Sequence, residues 1–203
     1  KLPILCGGAG FYISAVVDGI VIPPVKPDWR LRKKLEKLTT EKLYVMLAKI
    51  DPRRAKTIDK QNPRRLIRAI EIAKKIGAVP ELKKQPLPYP VLFLGIKISP
   101  KELEAKIDRR LAKRLKAGMI AEVKQLKSAG LSWKRLENFG LEYKFGALYL
   151  QKKISRQEMI NAIKQTSKQY ARRQMTWFCR DPRIIWITNT KQAVAAAKKY
   201  LQQ

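Results

Sequence analysis

Short apolar runs that each precede a helical pattern are the feature of this sequence that most restricts its fold. Three such runs occupy residues 4–6, 91–96 and 184–187. Each has the length of a strand, and each is followed by a turn and then by residues of helical character. Strands that alternate with helices are typical of an α/β protein with a largely parallel sheet. We therefore predict that fold class, with buried strands at 4–6 and 91–96 and a third, short strand at 184–187.

Helix-capping signals place a group of basic helices between the first two strands. Asp51 and Asn62 each stand directly before a proline, the arrangement found at the first turn of a helix. The predicted helices cover residues 11–18, 29–38, 40–50, 64–76, 100–117, 119–128, 141–151, 155–179 and a stretch from 190. This order predicts that residues 1–24 are part of an α/β core, 25–88 a helical insertion domain, and 89–203 the remainder of the core.

The charge balance predicts a polyanionic partner. Lys and Arg number 45 against 16 Asp and Glu, which gives a formal net charge of +29. A compact fold with this much like charge repels itself, and a bound polyanion relieves the repulsion. Nucleic acid is the first candidate, because each neutralised phosphate releases condensed counterions. An anionic membrane surface, or a generally basic proteome, would give the same composition.

The cysteine and histidine content restricts the disulfides, catalytic groups and metal ligands that this chain can use. The two cysteines, Cys6 and Cys179, are too few for a disulfide framework, and no apolar run has the length of a membrane span. With no signal-like segment, we expect a cytoplasmic protein that does not bind membranes. The sequence has no histidine, which excludes Ser-His-Asp chemistry, histidine acid–base catalysis and histidine-ligated metal sites.

A glycine-rich segment follows the first apolar run. Gly7, Gly8 and Gly10 form a turn between a strand and a helix, and backbone N–H groups in such a turn can hold phosphate oxygens. An ordinary tight connection would use the same residues. The sequence contains no Walker A motif and no complete dinucleotide-binding fingerprint. Because a lone parallel strand has no partners, we also expect further sequence upstream.

Two further segments carry clustered arginines. Arg64, Arg65 and Arg68 lie near the start of one predicted helix, where they suit bidentate phosphate contacts or form a solvated basic face. Arg110 lies beside the apolar stripe of its own helix. An unpaired buried charge is costly, so a partly buried Arg110 would be a better ligand candidate than the outward-facing lysines.

Arginines and aromatic residues are interleaved near the end of the last long helix. Arg172 and Arg173 lie between Tyr170 and Trp177. Such a pattern can grip backbone phosphates and stack against bases. The same aromatic residues could instead pack inward as core, and we expect some of each.

In this order, these segments resemble bacterial tRNA dimethylallyltransferases, the isopentenyl-transferase family. The family's Gly-Gly-Thr-Gly-Leu-Tyr segment is similar to residues 7–12, and its Asp-Pro-x-x-Ala motif and Asn-x-Arg-Arg helix are similar to residues 51–71. Its arginine-containing helix, which ends at Gly and continues with Glu-Val, resembles residues 110–123. Its Gly-Tyr-Lys-Glu turn has a counterpart in residues 140–144. Its Tyr-Ala-Lys-Arg-Gln-x-Thr-Trp-Phe signature is nearly reproduced by residues 170–178.

The resemblance implies a P-loop-kinase-like parallel sheet core, incomplete here, with an inserted helical tRNA-binding domain. It implies transfer of a dimethylallyl group from dimethylallyl diphosphate to N6 of the adenosine 3′-adjacent to the anticodon, at position 37 of tRNA. Mg²⁺ would assist the diphosphate leaving group, and the partner would be the tRNA anticodon stem-loop. We expect a monomer.

The resemblance also assigns site residues. Arg110 would be catalytic, with no protein ligands to a metal. The residues that would bind the diphosphate are Gly7, Gly8, Ala9, Gly10 and Arg110. The residues that would bind tRNA are Tyr12, Arg64, Arg65, Arg68, Lys144, Arg172, Arg173, Gln174 and Trp177.

Departures from the family pattern lead to one further expectation. The family's P-loop and general-base Asp lie upstream of the glycine segment and have no counterpart here, and Ala9 stands where the family has Thr. Cys179 stands where an Arg commonly follows the Trp-Phe pair. We expect these 203 residues alone to lack transferase activity. The alternatives are a non-catalytic basic RNA-binding remnant of the family, or an enzyme that acts on free nucleotides, against which the net charge argues.

Overall fold

The computed structural model describes residues 2–85 and 88–202. Phe11–Tyr89 form one compact unit, here called the helical unit, and Lys1–Gly10 with Pro90–Gln203 form a second, here called the sheet unit. In chain order the elements are α1 Gly10–Val17, α2 Trp29–Leu35, α3 Thr40–Ile50, α4 Pro52–Thr57, α5 Pro63–Ile76, β1 Phe93–Ile96, α6 Pro100–Lys116, α7 Met119–Ser128, α8 Trp133–Glu137, α9 Leu141–Leu150, α10 Arg156–Phe178, β2 Ile184–Ile187 and α11 Thr190–Leu201.

Capping side chains set the limits of the helices in the helical unit. Thr39 caps α3, Asp51 caps α4 and Asn62 caps α5, each by accepting a hydrogen bond from a backbone N–H in the first turn. Helix α5 ends at Gly77, whose φ of +88° is accessible to glycine at little cost. The predicted starts of α4 and α5 are therefore confirmed.

The apolar faces of α3 and α5 meet in the core of the helical unit. Leu43 and Leu47 from α3 share one apolar cluster with Leu66 and Ile70 from α5, and all four side chains are fully buried. Burial of an aliphatic side chain of this size contributes about 1.5–3 kcal/mol. This packing holds α5 in place and so positions the charged residues on its other faces.

The sheet unit combines two parallel strands with the helices between them. β1 pairs with β2, with Phe93 opposite Ile184 and Ile96 opposite Ile187. One buried cluster joins α6, α7 and α10 through Leu111, Met119, Met159 and Ile163. A second joins α7, α8 and α9 through Val123, Leu136 and Ala147.

The first apolar run does not form a strand. Residues 4–6 have no strand partner among the described residues, and Ile4 is 86% exposed. The prediction of a buried strand here is wrong, because a strand needs a neighbour to satisfy its backbone N–H and C=O groups. The second run shortens to β1 and is only half-buried, with Ile96 exposed, since β2 is its one neighbour within the described part of the chain.

A short antiparallel bridge closes the helical unit. Ile20 pairs with Lys84, and the Lys84 ammonium lies 3.3 Å from the Asp18 carboxylate. These contacts place most of α1 and the residues after it in the helical unit. The unit limits fall after Gly10 and Tyr89, whereas the predicted domain limits, drawn from the order of strands and helices, fall after residues 24 and 88.

The other predicted helices are observed within a few residues of their expected limits. Helix α2 ends at Leu35, earlier than expected, and the five-residue helix α8 was not predicted. Within residues 2–85 and 88–202, no helix combines the length and the apolar character that a membrane crossing requires.

Candidate functional site

The glycine segment, residues 7–10, lies against α10. Gln174 Nε2 donates a hydrogen bond of 3.0 Å to the carbonyl oxygen of Gly8. A Cβ atom on Gly8 would lie 2.0 Å from that nitrogen, and one on Gly10 would lie 2.3 Å from Cδ1 of Trp177. Carbon atoms in favourable contact are about 3.5–4.0 Å apart, so the approach of the rigid indole requires glycine at position 10, whereas the flexible end of Gln174 could move away from a side chain at position 8. The structure thus brings together the first and the last of the predicted segments.

The backbone of the glycine segment presents hydrogen-bond donors. Within the described residues, the N–H groups of Gly7, Gly8 and Ala9 donate no hydrogen bond. The segment leads directly into the N-terminus of α1, where the helix dipole adds partial positive charge. Unsatisfied N–H groups at a helix N-terminus form an anion site, so this backbone is suited to phosphate oxygens.

The last turns of α10 carry exposed arginines and aromatic rings. Arg172, Arg173, Tyr170 and Trp177 are all exposed, and the Arg173 guanidinium lies 5.8 Å from the Tyr170 ring centroid. Neither Tyr170 nor Trp177 packs inward as core: both are exposed, and Trp177 also contacts Gly10. Exposed rings and guanidinium groups can stack on bases and contact phosphates.

Arg110 is not buried. Its position beside the apolar stripe of α6 had suggested partial burial, and the structure corrects that expectation. Its side chain is 64% exposed, and its Nε lies 4.0 Å from Glu142 Oε1. Arg114, one turn further along α6, makes the closer contact: its Nε donates to Glu142 Oε2 at 2.9 Å. Arg114, at 41% exposure, is therefore the more enclosed of the two side chains, and Arg110 extends further into solvent. The catalytic role of Arg110 stays a prediction.

A cluster of charged and polar side chains surrounds Arg114. Its guanidinium also lies 3.5 Å from Glu122, and the Tyr143 hydroxyl donates a hydrogen bond of 2.5 Å to Glu122. That hydrogen bond, together with burial, raises the pKa of Tyr143. The cluster ties α6, α7 and α9 together. Sequence reasoning missed it, although Glu142 and Tyr143 lie in the segment, residues 140–144, that corresponds to the family's Gly-Tyr-Lys-Glu turn.

The arginines predicted on α5 differ in their surroundings. Arg64 and Arg65 are exposed, and Arg65 lies 3.9 Å from the Asp59 carboxylate. Arg68 donates hydrogen bonds to Glu71 and, at 2.8 Å, to the carbonyl oxygen of Val25. Arg68 therefore has a structural role within the helical unit, and its contact with tRNA stays a prediction.

Glu71 is the buried centre of these contacts. Only 2% of it is exposed, and it accepts hydrogen bonds from Arg32 at 2.7 and 2.9 Å, from the Asp28 backbone N–H at 2.6 Å and from Arg68. Burial alone would raise the pKa of Glu71, but the hydrogen bonds from Arg32, Arg68 and Asp28 outweigh it and lower the pKa to about 2. Glu71 thus remains a carboxylate at any physiological pH.

The two remaining predicted tRNA-binding residues lie on the surface. Lys144 is exposed, with its ammonium 5.4 Å from the Phe145 ring centroid. Tyr12, in the first turn of α1, is exposed and meets Phe11 edge-on at 6.2 Å. Both side chains are accessible to a large partner, and their roles stay predictions.

The described residues do not form a metal cage. Residues 2–85 and 88–202 contain no group of three or more Cys, Asp or Glu side chains placed to hold a metal ion. Mg²⁺ is commonly bound through substrate phosphates and only one or two carboxylates. The lack of a three-ligand cage is therefore consistent with a metal that is held mainly by the substrate, and the predicted use of Mg²⁺ stays a prediction.

The parallel strands with helices between them place the chain in the α/β class, as predicted. The model of the family described as IPP transferase matches residues 1–181. A tRNA dimethylallyltransferase 2 of Trichlorobacter lovleyi is 36% identical over 99% of this chain and 67% of its own length. A tRNA dimethylallyltransferase 1 of Syntrophus aciditrophicus is 41% identical over 92% of this chain and 63% of its own length.

A solved structure of a eukaryotic dimethylallyltransferase acting on tRNA is similar with a TM-score of 0.68 and 25% identity, over 96% of this chain and 54% of that one. The chain belongs to the IPP transferase family. It spans about two thirds of the length of these curated relatives.

Proposed function

We propose that this chain serves the transfer of a dimethylallyl group from dimethylallyl diphosphate to N6 of the adenosine at position 37 of tRNA, next to the anticodon. The names of its relatives support the transfer of a dimethylallyl group to tRNA, and the family resemblance implies the donor and the position of the target base. The observation that carries the proposal is the docking of the glycine segment on Gln174 and Trp177. It joins a backbone suited to phosphate with a helix suited to RNA.

The diphosphate half of the reaction needs donors directed at developing negative charge. The leaving diphosphate gains charge as the bond to the dimethylallyl carbon breaks, and preorganised N–H groups stabilise such charge. The N–H groups of Gly7, Gly8 and Ala9 are suited to this task. Arg110, whose guanidinium is largely in solvent, is the proposed cationic partner. Mg²⁺ is proposed to arrive with the diphosphate.

The RNA half of the reaction needs a surface for phosphates and an exposed target base. N6 of a stacked adenine is hard to reach, so enzymes that modify bases take the target out of the stack. Exposed Arg172 and Arg173 are the proposed phosphate contacts, and Trp177 the proposed neighbour of a base. We also propose that the protein acts in the cytoplasm, where a tRNA substrate would be met, and that it acts as a monomer.

Binding to a tRNA anticodon stem-loop across a salt series tests the proposal. We expect binding that weakens steeply with salt and prefers adenine over guanine at position 37. The variant Arg172→Ala/Arg173→Ala should reduce the magnitude of the slope of log K against log[salt] by roughly 1.4–1.8, because two phosphate contacts are removed. Arg156→Ala, an exposed arginine at the other end of α10, is the matched control and should leave the slope unchanged.

A non-catalytic RNA-binding role is the second candidate. Ala9, where the family has Thr, and the lack of a Walker A motif in these residues favour it. Incubation with labelled dimethylallyl diphosphate and tRNA should yield no labelled tRNA with these 203 residues alone. Labelled product would contradict that expectation. Binding without preference for adenine would favour the remnant over the enzyme.

A further inference from the structure

A tryptophan on the surface of the helical unit has no core role. Trp29, the first residue of α2, is 71% exposed. The apolar side of the same helix is already used, since Leu35 is buried and Leu31 packs beside it. The core contacts of α2 are made without this ring. A large exposed aromatic ring of this kind indicates a binding surface more strongly than an isolated exposed aliphatic residue does.

The indole of Trp29 lies beside groups that are anchored to a buried carboxylate. The Arg32 guanidinium lies 5.2 Å from the Trp29 ring centroid, within the range of a cation–π contact. Arg32 is itself held by two hydrogen bonds to the buried Glu71 carboxylate, at 2.7 and 2.9 Å. The Asp28 backbone N–H, directly before Trp29, donates to the same carboxylate at 2.6 Å. Both the backbone and the cation beside the ring are thus anchored.

Positive charge surrounds the ring along the helix. Lys26, Arg30, Lys33 and Lys34 are exposed, and none has an ion-pair partner among the described residues. A ring to stack on and cations for phosphates are what a single-stranded nucleic acid needs. A membrane is a poorer match, because the apolar side of this seven-residue helix is inside the core. A protein partner would prefer neighbouring apolar surface, which α2 does not present.

We propose that Trp29, anchored through Arg32 and Glu71, is a stacking platform for an unpaired base of the RNA that this chain binds. The proposal rests on the proposed tRNA function and adds a base-contacting site to it in the helical unit. Because Arg32 and Asp28 already order the ring's surroundings, little conformational entropy is lost when a base stacks on it. The cations of α2 contact the flanking phosphates.

The test is equilibrium binding of a tRNA anticodon stem-loop to wild type, Trp29→Ala and Trp29→Phe over a salt series. Trp29→Ala should weaken binding about 5- to 100-fold, the loss expected for one base–aromatic stack. The slope of log K against log[salt] should not change, because no charge is removed. Trp29→Phe should retain most of the affinity. Lys34→Ala is the contrasting variant, with a slope smaller in magnitude by roughly 0.7–0.9.

Indole fluorescence gives a second readout. The chain has four tryptophans, so the signal of Trp29 is obtained by comparing wild type with Trp29→Phe. RNA should quench wild-type fluorescence more strongly than that of Trp29→Phe. Tyr89→Ala, another exposed aromatic residue of the helical unit, controls for the general loss of a surface ring and should bind like wild type.

The outcomes separate the two proposals. If wild type binds the stem-loop and Trp29→Ala binds equally well, the platform is wrong and the tRNA function stands. If wild type does not bind, both fail. A changed salt slope in Trp29→Ala would mean that the ring acts only by orienting charge, which overturns stacking. Trp29-dependent binding to phosphatidylglycerol vesicles, without an effect on RNA binding, would assign the ring to a membrane surface instead.

Discussion

Replacing Glu71 with glutamine keeps the size of the side chain and removes the charge on which two arginines depend. In the wild type the carboxylate is buried and accepts hydrogen bonds from Arg32, Arg68 and the Asp28 backbone. In Glu71→Gln the two guanidinium groups face an amide that offers one oxygen and two further N–H donors. Removing one member of a buried ion pair typically costs about 3–5 kcal/mol, since the remaining charge is left without compensation.

The pKa of Glu71 gives an independent magnitude. A carboxyl group that titrates at 4.5 in the unfolded chain and at about 2 in the folded protein stabilises the fold by about 3 kcal/mol at neutral pH. Because the folded-state pKa is the lower one, this contribution is complete above the unfolded value of 4.5. It is lost as the pH falls towards about 2. Wild type and variant should therefore converge in acid.

Urea unfolding, followed by circular dichroism at pH 7 and at pH 3, measures the difference in stability between wild type and Glu71→Gln. At pH 7 we expect the free energy of unfolding of Glu71→Gln to be about 3 kcal/mol below that of wild type, so the variant unfolds at lower urea. At pH 3 the difference in free energy should be smaller. Glu81→Gln is the matched control: Glu81 pairs with Arg53 but is 81% exposed, and its loss should cost less than about 1 kcal/mol. Equal stabilities of wild type and Glu71→Gln at pH 7, or a difference that does not change with pH, would refute the reasoning.

Three further substitutions probe other contacts. Gly10→Ala places a methyl group against the Trp177 indole and should destabilise the sheet unit by about 1–3 kcal/mol in thermal unfolding; adding Trp177→Ala should recover part of the loss. Asp51→Ala removes the acceptor for the N–H groups of Arg54 and Val79, at 2.9 and 2.7 Å, and should cost about 1–3 kcal/mol in urea unfolding. Ser155→Ala removes the capping box of α10 and should lower the free energy of unfolding by about 1 kcal/mol. Ser155→Asp should retain most of the stability. A melting temperature of Ser155→Ala equal to that of wild type would contradict the capping role.

Features specified by neighbouring residues were predictable from the sequence. The caps at Asp51, Asn62 and Ser155 act within one turn of helix, so a short stretch of sequence contains all the partners. The resemblance likewise identified the glycine segment and the signature helix, and the structure shows them in contact through Gln174. That contact spans 166 residues, a separation that no periodicity can reveal.

Features that depend on distant partners were not predictable in the same way. Residues 4–6 have the composition of a strand, but composition supplies no neighbouring strand. Arg110 and Arg114 lie one turn apart on α6, and the position of Glu142, from another helix, decides which of them is held. Glu71 looked like one more charge on a basic helix, because its main partner, Arg32, lies 39 residues earlier.

The division of the chain between its two units has a consequence for biosynthesis. The helical unit is continuous, so all its core residues are available to it soon after they leave the ribosome, and domains generally fold as units in that order. The glycine segment is made before the helical unit, whereas its partners Gln174 and Trp177 are made after that unit. The glycine segment therefore lacks these partners while the helical unit is made, and α10 must be complete before the segment can dock on it. A chain released before α10 is made would hold a folded helical unit and an unassembled glycine segment, and would be distinguished by rapid proteolysis at residues 7–10.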